Sequence, residues 1–447
     1  MSFAVSRSLP RTVLRSYGTV QGPPAASLAN RIPNALIEAT TATAPRTNWT
    51  REEVSQVYNT PLNQLTYASQ AVHRRFHDPS AIQMCTLMNI KTGGCSEDCS
   101  YCAQSSRYDT GLKATKMSPV DEVLEKARMA KANGSTRFCM GAAWRDMRGR
   151  KTSLKNVKQM VSGIRDMNME VCVTLGMIDQ EQAKELKEAG LTAYNHNLDT
   201  SREFYPTIIT TRSYDERLRT LDHVRDAGIN VCSGGILGLG ESDEDRVGLL
   251  HTMSSLPKHP ESFPVNALVP IPGTPLGDRK MVPFDRLLRT VATARIVMPG
   301  TIVRLAAGRI ALSEEQQVAC FQAGANAIFT GEKMLTTDCN GWDEDRAMFD
   351  RWGYYPMKSF EKPEPLGDAK TTATPPRLGM SLLRRSQLLL KIRCKIMSSS
   401  RQETSRGDGL CMRLDDNQMS ILADICLRVP SSQLARKEPV YAFRAKH

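Results

Sequence analysis

A regular alternation of strand-like and helix-like segments runs through residues 81–331 and constrains the fold more than any other feature. The predicted strands are Ala81–Ile90, Thr136–Ala142, Glu170–Gly176, Ala193–Asp199, Ile229–Gly238, Phe263–Ile271, Thr301–Gly308 and Ala325–Gly331. The predicted helices between them are Val120–Asn133, Leu154–Met167, Gln180–Ala189, Tyr214–Ala227, Asp243–Leu256, Phe284–Val297 and Glu314–Ala323. Repeated strand–helix–strand units imply parallel strands. The simplest closure of eight such strands is a (βα)8 TIM-type barrel, with a doubly wound open sheet as the alternative.

The net charge of +12 lies at the two ends of the 447-residue chain. Residues 1–46 contain five Arg and one Glu, and residues 367–447 contain fifteen Lys or Arg and seven Asp or Glu. The residues between them hold 39 basic and 39 acidic side chains, so the body is neutral. A neutral body argues against a nucleic-acid partner. No apolar run reaches the roughly 18 residues that a membrane span needs, so we expect no membrane partner either.

The N-terminal segment, residues 1–46, has the composition of a mitochondrial transit peptide. Four arginines precede the first acidic residue and lie among Ser, Ala and Leu, and no continuous apolar segment of a secretory signal follows. A disordered basic tail without a targeting role is the alternative. We therefore expect a matrix protein in which residues 47–366 form the barrel. Residues 367–447 are expected to be a basic, irregular and disordered tail.

Three of the twelve cysteines, Cys95, Cys99 and Cys102, have the spacing C-x3-C-x2-C. Thiolates this close suit an iron–sulfur cluster or zinc. Three ligands leave one iron of a [4Fe–4S] cluster open, where a small molecule can bind and react. Structural zinc usually uses paired C-x2-C units, and no second pair is present. The spacing favours a cluster, but zinc with a fourth ligand from elsewhere and three unrelated buried thiols are both still possible.

Side-chain alternation places polar and thiol groups on one shared face of the predicted strands. The residues on this face include Arg137, Cys139, Cys172, Asn195, Asn197, Asp199, Cys232, Asn266 and Arg304. The opposite face is apolar, as packing against a helical shell requires. Buried polar groups cost free energy unless they are bound to something. We therefore expect the barrel to enclose ligands.

The thiols on this inner face predict a second coordinated site. Cys139, Cys172 and Cys232 come from three different strands and point the same way. The remaining body cysteines, Cys85, Cys320 and Cys339, lack this alignment, and we interpret them as core or loop thiols. The same alternation puts His196 on the apolar side, which predicts a structural role for it.

Taken together, these motifs resemble the biotin synthase family of radical S-adenosylmethionine (SAM) enzymes. The resemblance extends from about residue 50 to residue 360. It rests on the segments Ile90–Ser106, Arg137–Trp144, Tyr194–Thr200, Val231–Glu241 and Val303–Arg309. It implies sulfur insertion into dethiobiotin by radical SAM chemistry, with biotin as the product.

The resemblance also implies a set of ligands. Cys95, Cys99 and Cys102 would hold a [4Fe–4S] cluster, and Cys139, Cys172, Cys232 and Arg304 would hold a [2Fe–2S] cluster that donates the sulfur. Tyr101, Asn197, Asp199 and Arg212 would bind SAM, and Asn195, Asn197 and Asn266 would bind dethiobiotin. From its chemistry alone, Arg304 is a charge partner, because a guanidinium normally only donates. The implied partners are a low-potential electron donor of the ferredoxin or flavodoxin type, the iron–sulfur assembly machinery and a second copy in a homodimer.

Two other functions fit part of these motifs. Another radical SAM barrel enzyme, related to methylornithine or hydrogenase-cofactor enzymes, would not need the four inner ligands together. A zinc-stabilised binding protein without catalytic activity would contain no iron. Iron content after anaerobic purification separates this last possibility from the others.

Overall fold

The computed structural model describes residues 32–360, in which eight parallel strand positions close into a barrel. The strands are β1 (Ala81–Lys91), β2 (Arg137–Ala142), β3 (Glu170–Thr174), β4 (Ala193–Asn195), β5 (Asn230–Cys232), β6 (Gly235–Leu237), β7 (Ser262–Ala267), β8 (Ile302–Leu305) and β9 (Ala327–Phe329). β5 and β6 share one position, where the predicted single strand is interrupted. β9 pairs with β1, with Ala327 opposite Gln83, and this pairing closes the barrel. The predicted barrel is confirmed, and the open sheet is wrong.

All seven predicted helices are present, with ends shifted by less than one turn. They are α4 (Val120–Ala132), α5 (Lys151–Asp166), α6 (Gln180–Glu188), α7 (Tyr214–Asp226), α8 (Asp243–Ser254), α9 (Phe284–Val297) and α10 (Glu314–Gln322). Four of them begin at a capping box, in which the side chain of Asp179, Ser213, Ser242 or Ser313 accepts the backbone N–H three residues later. Such caps satisfy amide groups at the start of a helix that have no partner within it.

Further elements flank the barrel. Three helices precede it, namely α1 (Asn34–Thr41), α2 (Arg51–Tyr58) and α3 (Leu62–Phe76). A hairpin of β10 (Lys333–Met334) and β11 (Thr337–Asp338), the helix α11 (Trp342–Trp352) and the short strand β12 (Tyr355–Pro356) follow it. Helix α1 lies inside the segment predicted to be a transit peptide, and it buries Leu36. Residues 1–31 of that segment and the tail at 367–447 lie outside the described residues.

The main apolar core lies between the strands and the helices. Val171 and Val173 of β3 are fully buried in it, whereas Cys172 and Thr174 line the inside of the barrel. This is the alternation that the sequence predicts. Between residues 32 and 360, the helices are all too short or too polar to cross a bilayer.

Candidate active site

A cavity of about 320 Å³ occupies the inside of the barrel. It is lined by every residue that the sequence analysis named for a cluster, SAM or the substrate. These are Cys95, Cys99, Tyr101, Cys102, Cys139, Cys172, Asn195, Asn197, Asp199, Arg212, Cys232, Asn266 and Arg304. Residues from separate strands and from the loops that follow them therefore share one enclosed space.

The three-cysteine segment forms a closed loop after β1. The Ser106 N–H donates to the Cys95 carbonyl at 2.8 Å, and the Cys102 N–H donates to the Cys99 carbonyl at 2.9 Å. The loop is also tied to the segment after β4, because the Ser100 hydroxyl donates to the Ile208 carbonyl at 2.8 Å. These bonds fix the three thiols on one side of the cavity before any ligand binds.

The thiols of this loop are protonated when no metal is bound. Burial raises the pKa of Cys99 to about 12 and the pKa of Cys102 to about 11. Burial also raises the pKa of Cys95. Among residues 32–360, no three His, Cys, Asp or Glu side chains are arranged to hold a single metal ion. Because the raised pKa values keep the three thiols protonated, metal ligation at this loop must displace those protons.

Asp199 lies on the cavity wall, where its carboxylate accepts hydrogen bonds from two side chains. It is almost fully buried and has a left-handed backbone, with φ of +67°. Its Oδ2 accepts from the Tyr101 hydroxyl at 3.0 Å and from Arg217 Nη2 at 2.6 Å. Burial raises the pKa of Tyr101 well above its usual range, so the phenol keeps the proton that it donates. The second carboxylate oxygen is not used by this network.

Arg212 brings a buried positive charge without a close partner to the same region. Its Nε and Nη1 have no hydrogen-bond partner, and the nearest carboxylate oxygen, on Glu97, lies 3.7 Å from Nε. Buried donors of this kind are costly unless a ligand satisfies them. This guanidinium therefore fits an anionic group of a ligand, and Arg212 is one of the residues predicted to bind SAM.

The three predicted amides lie deeper, and each keeps capacity for a ligand. Asn266 Nδ2 donates to the Gly235 carbonyl at 2.9 Å, and its Oδ1 accepts the Ala307 N–H at 3.1 Å. Asn195 Nδ2 donates to Asn197 Oδ1 at 3.0 Å. An amide offers two donors and two lone pairs, so these bonds orient the groups without exhausting them.

The inner thiols lie close together on β2, β3 and β5, with β4 between the last two strands. Cys139 of β2 pairs directly with Cys172 of β3, and Cys232 comes from β5. Hydrogen bonds from the Cys139 and Cys232 thiols, together with nearby Arg137, hold the pKa of Cys172 well below its usual value. The alignment that alternation predicted is thus present in space.

Two buried guanidinium groups face these sulfurs. Arg137 Nη1 donates to the Glu261 carboxylate at 2.9 and 3.1 Å, but its Nε and Nη2 have no partner. Arg304 is 1% exposed and donates from Nη2 to Gln83 Oε1 at 2.6 Å. A cluster held by thiolates is anionic, so thiols with two buried positive charges fit an iron–sulfur cluster.

Cys85 is a core thiol, as predicted, but it packs against the inner thiols. Cys85 is fully buried and forms one cluster with Cys139, Cys172 and Cys232. Arg304 Nη1 donates to Cys85 Sγ at 2.7 Å. The strand β1 carries only this one thiol, next to Leu87 on the same face, so the sequence pattern did not distinguish it from a small core residue.

The predicted orientation of His196 towards the apolar side is wrong, because this residue lines the cavity and its Nε2 has no partner. Strand β4 ends at Asn195, and side chains alternate only while a strand continues. Burial lowers the pKa of His196 well below its usual range, so its ring is neutral.

The sequence analysis missed Arg217 and the hairpin between β10 and β11. Arg217 comes from helix α7, not from a strand, and it occupies the buried face of that helix together with Tyr214 and Leu221. An arginine at a buried position of a helical pattern was the available signal. From the hairpin, Leu335, Thr336 and Thr337 line the cavity, and no motif marked them.

A closed parallel barrel with a three-cysteine loop after its first strand defines the class of protein, a radical SAM enzyme. Residues 89–253 match the model of the Radical SAM superfamily, and residues 264–355 match the Biotin and Thiamin Synthesis associated domain. Methylornithine synthase has a similar fold, with a TM-score of 0.61 at 16% identity over 72% of this chain and 97% of that chain. This likeness concerns the fold alone.

Sequence relatives identify the family within this class. The chain is 86% identical over 363 residues to "Biotin synthase, mitochondrial" of Emericella nidulans, which covers 81% of this chain and 92% of the relative. It is 56% identical over 363 residues to "Biotin synthase, mitochondrial" of Saccharomyces cerevisiae, covering 79% of this chain and 96% of the relative. The chain belongs to the biotin synthase family. Membership implies that a [4Fe–4S] cluster and SAM are its cofactors.

Proposed function

We propose that this protein converts dethiobiotin to biotin, and that an inner [2Fe–2S] cluster supplies the sulfur. The observation that carries this proposal is the single cavity, which joins the three-cysteine loop to the inner thiols with amide side chains between them. A substrate bound in this cavity would then have the source of the radical, at the three-cysteine loop, on one side. It would have the sulfur donor, at the inner thiols, on the other side. The two alternative functions, another radical SAM barrel enzyme and a zinc-stabilised binding protein, do not require both groups of thiols.

We assign SAM to the part of the cavity next to the three-cysteine loop. Cys95, Cys99 and Cys102 hold the [4Fe–4S] cluster there, and bound SAM supplies a 5′-deoxyadenosyl radical after reduction. Arg212 meets the SAM carboxylate, because its buried Nε and Nη1 lack partners. Asp199 accepts the ribose hydroxyls, and Asn197 assists it. Tyr101 fixes the orientation of Asp199 through its hydroxyl.

Dethiobiotin occupies the space between SAM and the inner thiols. Its ureido ring offers two N–H donors and one carbonyl acceptor, which suits the amides of Asn195, Asn197 and Asn266. The bonds that these amides make to the protein hold them in fixed orientations. Fixed orientation and exclusion of water are the contributions of the barrel to a reaction whose reactive species would otherwise attack solvent.

The inner cluster is held by Cys139, Cys172 and Cys232, with Arg304 in the fourth position as the family resemblance implies. Burial of all four side chains keeps water from the sulfur that is transferred. Arg137 has unpartnered N–H groups at this site, and they balance the negative charge of the bound cluster. The sulfur is consumed in the reaction, so the inner site must be reloaded by the iron–sulfur assembly machinery.

The remaining partners and the location follow from family membership and composition. A low-potential donor of the ferredoxin or flavodoxin type supplies the electron, and the active form is a homodimer. The protein acts in the mitochondrial matrix after loss of a transit peptide. This location is supported by the basic composition of residues 1–46 and by the names of the two mitochondrial relatives.

The test is an anaerobic turnover assay. The protein is reconstituted with iron and sulfide and given SAM, dithionite and dethiobiotin. Biotin and 5′-deoxyadenosine are then quantified by mass spectrometry. We expect both products. Deoxyadenosine without biotin, from protein whose inner cluster is shown to be loaded, would refute dethiobiotin as the substrate.

A further inference from the structure

The inner site contains a fourth thiol that the resemblance does not use. Cys85 of β1 is fully buried and belongs to the same group as Cys139, Cys172 and Cys232. The Cys85 and Cys139 side chains pack together within this group. The strand register explains this proximity, because β1 pairs Cys85 with Arg137, two residues before Cys139 on the same face of β2.

Cys85 is also next to the residue assigned to the fourth ligand position. Its Sγ lies 2.7 Å from Arg304 Nη1. Arg304 also donates from Nη2 to Gln83 Oε1 at 2.6 Å and from Nη1 to the Ile328 carbonyl at 3.3 Å, and it lies over the Phe329 ring. Because the two atoms are adjacent, an iron held at Nη1 would lie near the Cys85 thiol.

The chemistry of the two donors favours the sulfur. A guanidinium has no lone pair to offer until it loses a proton. A cysteine thiolate is the common protein ligand of iron–sulfur clusters. Four sulfurs and one guanidine therefore pack together in one buried group, whereas a [2Fe–2S] cluster would need four ligands.

We propose that Cys85 is a second donor for the iron position assigned to Arg304, so that this chain can hold its inner cluster through four cysteines. This proposal rests on the proposed function. In the exchange the Fe–N bond to Arg304 breaks and an Fe–S bond to Cys85 forms. The thiol proton moves to the departing guanidine, and no electron is transferred. The exchange lets the site keep its iron when the contact with Arg304 is lost.

Another buried cysteine provides a matched control. Cys320 of α10 is also 0% exposed, but it lies in the apolar core between helices and strands. Burial alone raises the pKa of Cys320 to about 12. Removing its sulfur tests the general cost of losing a buried thiol in this protein.

The experiment compares wild type, Arg304→Leu, Cys85→Ala, Arg304→Leu/Cys85→Ala and Cys320→Ala. Each full-length protein is reconstituted anaerobically with ⁵⁷Fe and sulfide, and Mössbauer spectra give the amounts of [2Fe–2S] and [4Fe–4S] clusters. We expect Arg304→Leu to keep its [2Fe–2S] cluster, with two alike sulfur-ligated ferric sites. We expect the double variant to bind this cluster about tenfold or more weakly, and Cys320→Ala to match wild type.

Three results would overturn the proposal. One is equal [2Fe–2S] loading in Arg304→Leu and the double variant. Another is an oxygen- or nitrogen-ligated ferric site in Arg304→Leu, a result that does not depend on the stability of the double variant. The third is a loss of [2Fe–2S] cluster in Cys320→Ala that equals the loss in the double variant. The [4Fe–4S] signal in each spectrum reports whether the barrel is folded. Failure of the proposed function looks different, because wild type itself would then lack the [2Fe–2S] cluster or would form no biotin with the cluster loaded.

Discussion

Replacing Arg217 with Met removes the positive partner of a buried carboxylate on the cavity wall. Arg217 and Asp199 have side chains exposed by 4% and 2%, and their closest atoms lie 2.6 Å apart. In the variant, Asp199 stays buried with only the Tyr101 hydroxyl as a side-chain donor. Breaking a buried ion pair by removing one partner costs about 3–5 kcal/mol. Such a loss is a large part of the roughly 5–15 kcal/mol by which a domain is stable.

Three further variants separate the causes of this loss. Tyr101→Phe removes one hydrogen bond to a charged group and should cost about 1.5–3 kcal/mol. The double variant Arg217→Met/Asp199→Asn has no unpaired charge, so it should regain about 2 kcal/mol or more relative to Arg217→Met. Arg202→Met is the matched control. Arg202 pairs with Asp215 at a similar 2.7 Å, but these side chains are 51% and 66% exposed. An exposed pair is worth less than about 1 kcal/mol.

The assay is urea denaturation of the cluster-free protein, with SAM binding to the reconstituted protein measured by equilibrium dialysis. Arg217→Met should shift the midpoint strongly and weaken SAM binding, because Asp199 is no longer held in place. If Arg217→Met and Arg202→Met have the same small effect, burial does not determine the strength of this pair. If the double variant is no more stable than Arg217→Met, the uncompensated charge is not the cause.

Three other outcomes follow from the site. Cys139→Ala should spare deoxyadenosine formation more than biotin formation, whereas Cys99→Ala should abolish both, and equal loss of both products in Cys139→Ala would contradict separate roles. Arg212→Gln should weaken SAM binding about 10–100-fold and lower the free energy of unfolding less than Arg217→Met, because its Nε and Nη1 have no hydrogen-bond partner and the nearest carboxylate oxygen lies 3.7 Å away. A loss of stability as large as that of Arg217→Met would show a structural role. Burial alone would raise the pKa of Asp98, but hydrogen bonds from the Thr210 and Thr211 segment hold it at about 2. This stabilisation is present above the unfolded pKa of about 4 and is lost as pH falls towards 2. Urea midpoints of Asp98→Asn should therefore depend less on pH over this range than those of wild type, and parallel profiles would count against the assignment.

The sequence by itself determined the barrel and the thiols and amides that line its cavity. Alternating segments specified parallel strands, and the two-residue period within each strand specified which side chains point inward. The inward set included Cys172 and Asn266, and both line the cavity. Local patterns are sufficient here because a strand offers only two faces.

Only the tertiary structure decided which inward residues meet. Alternation gives the face of a side chain but not its depth in the barrel, which depends on the register between strands that are distant in sequence. The contact between Cys85 and Arg304 joins residues 219 positions apart, and a one-dimensional pattern cannot contain it. Arg217 reaches Asp199 from a helix outside the barrel, so no strand pattern indicated this pair either. The chain thus encodes the faces locally, and closure of the barrel brings them together as a site.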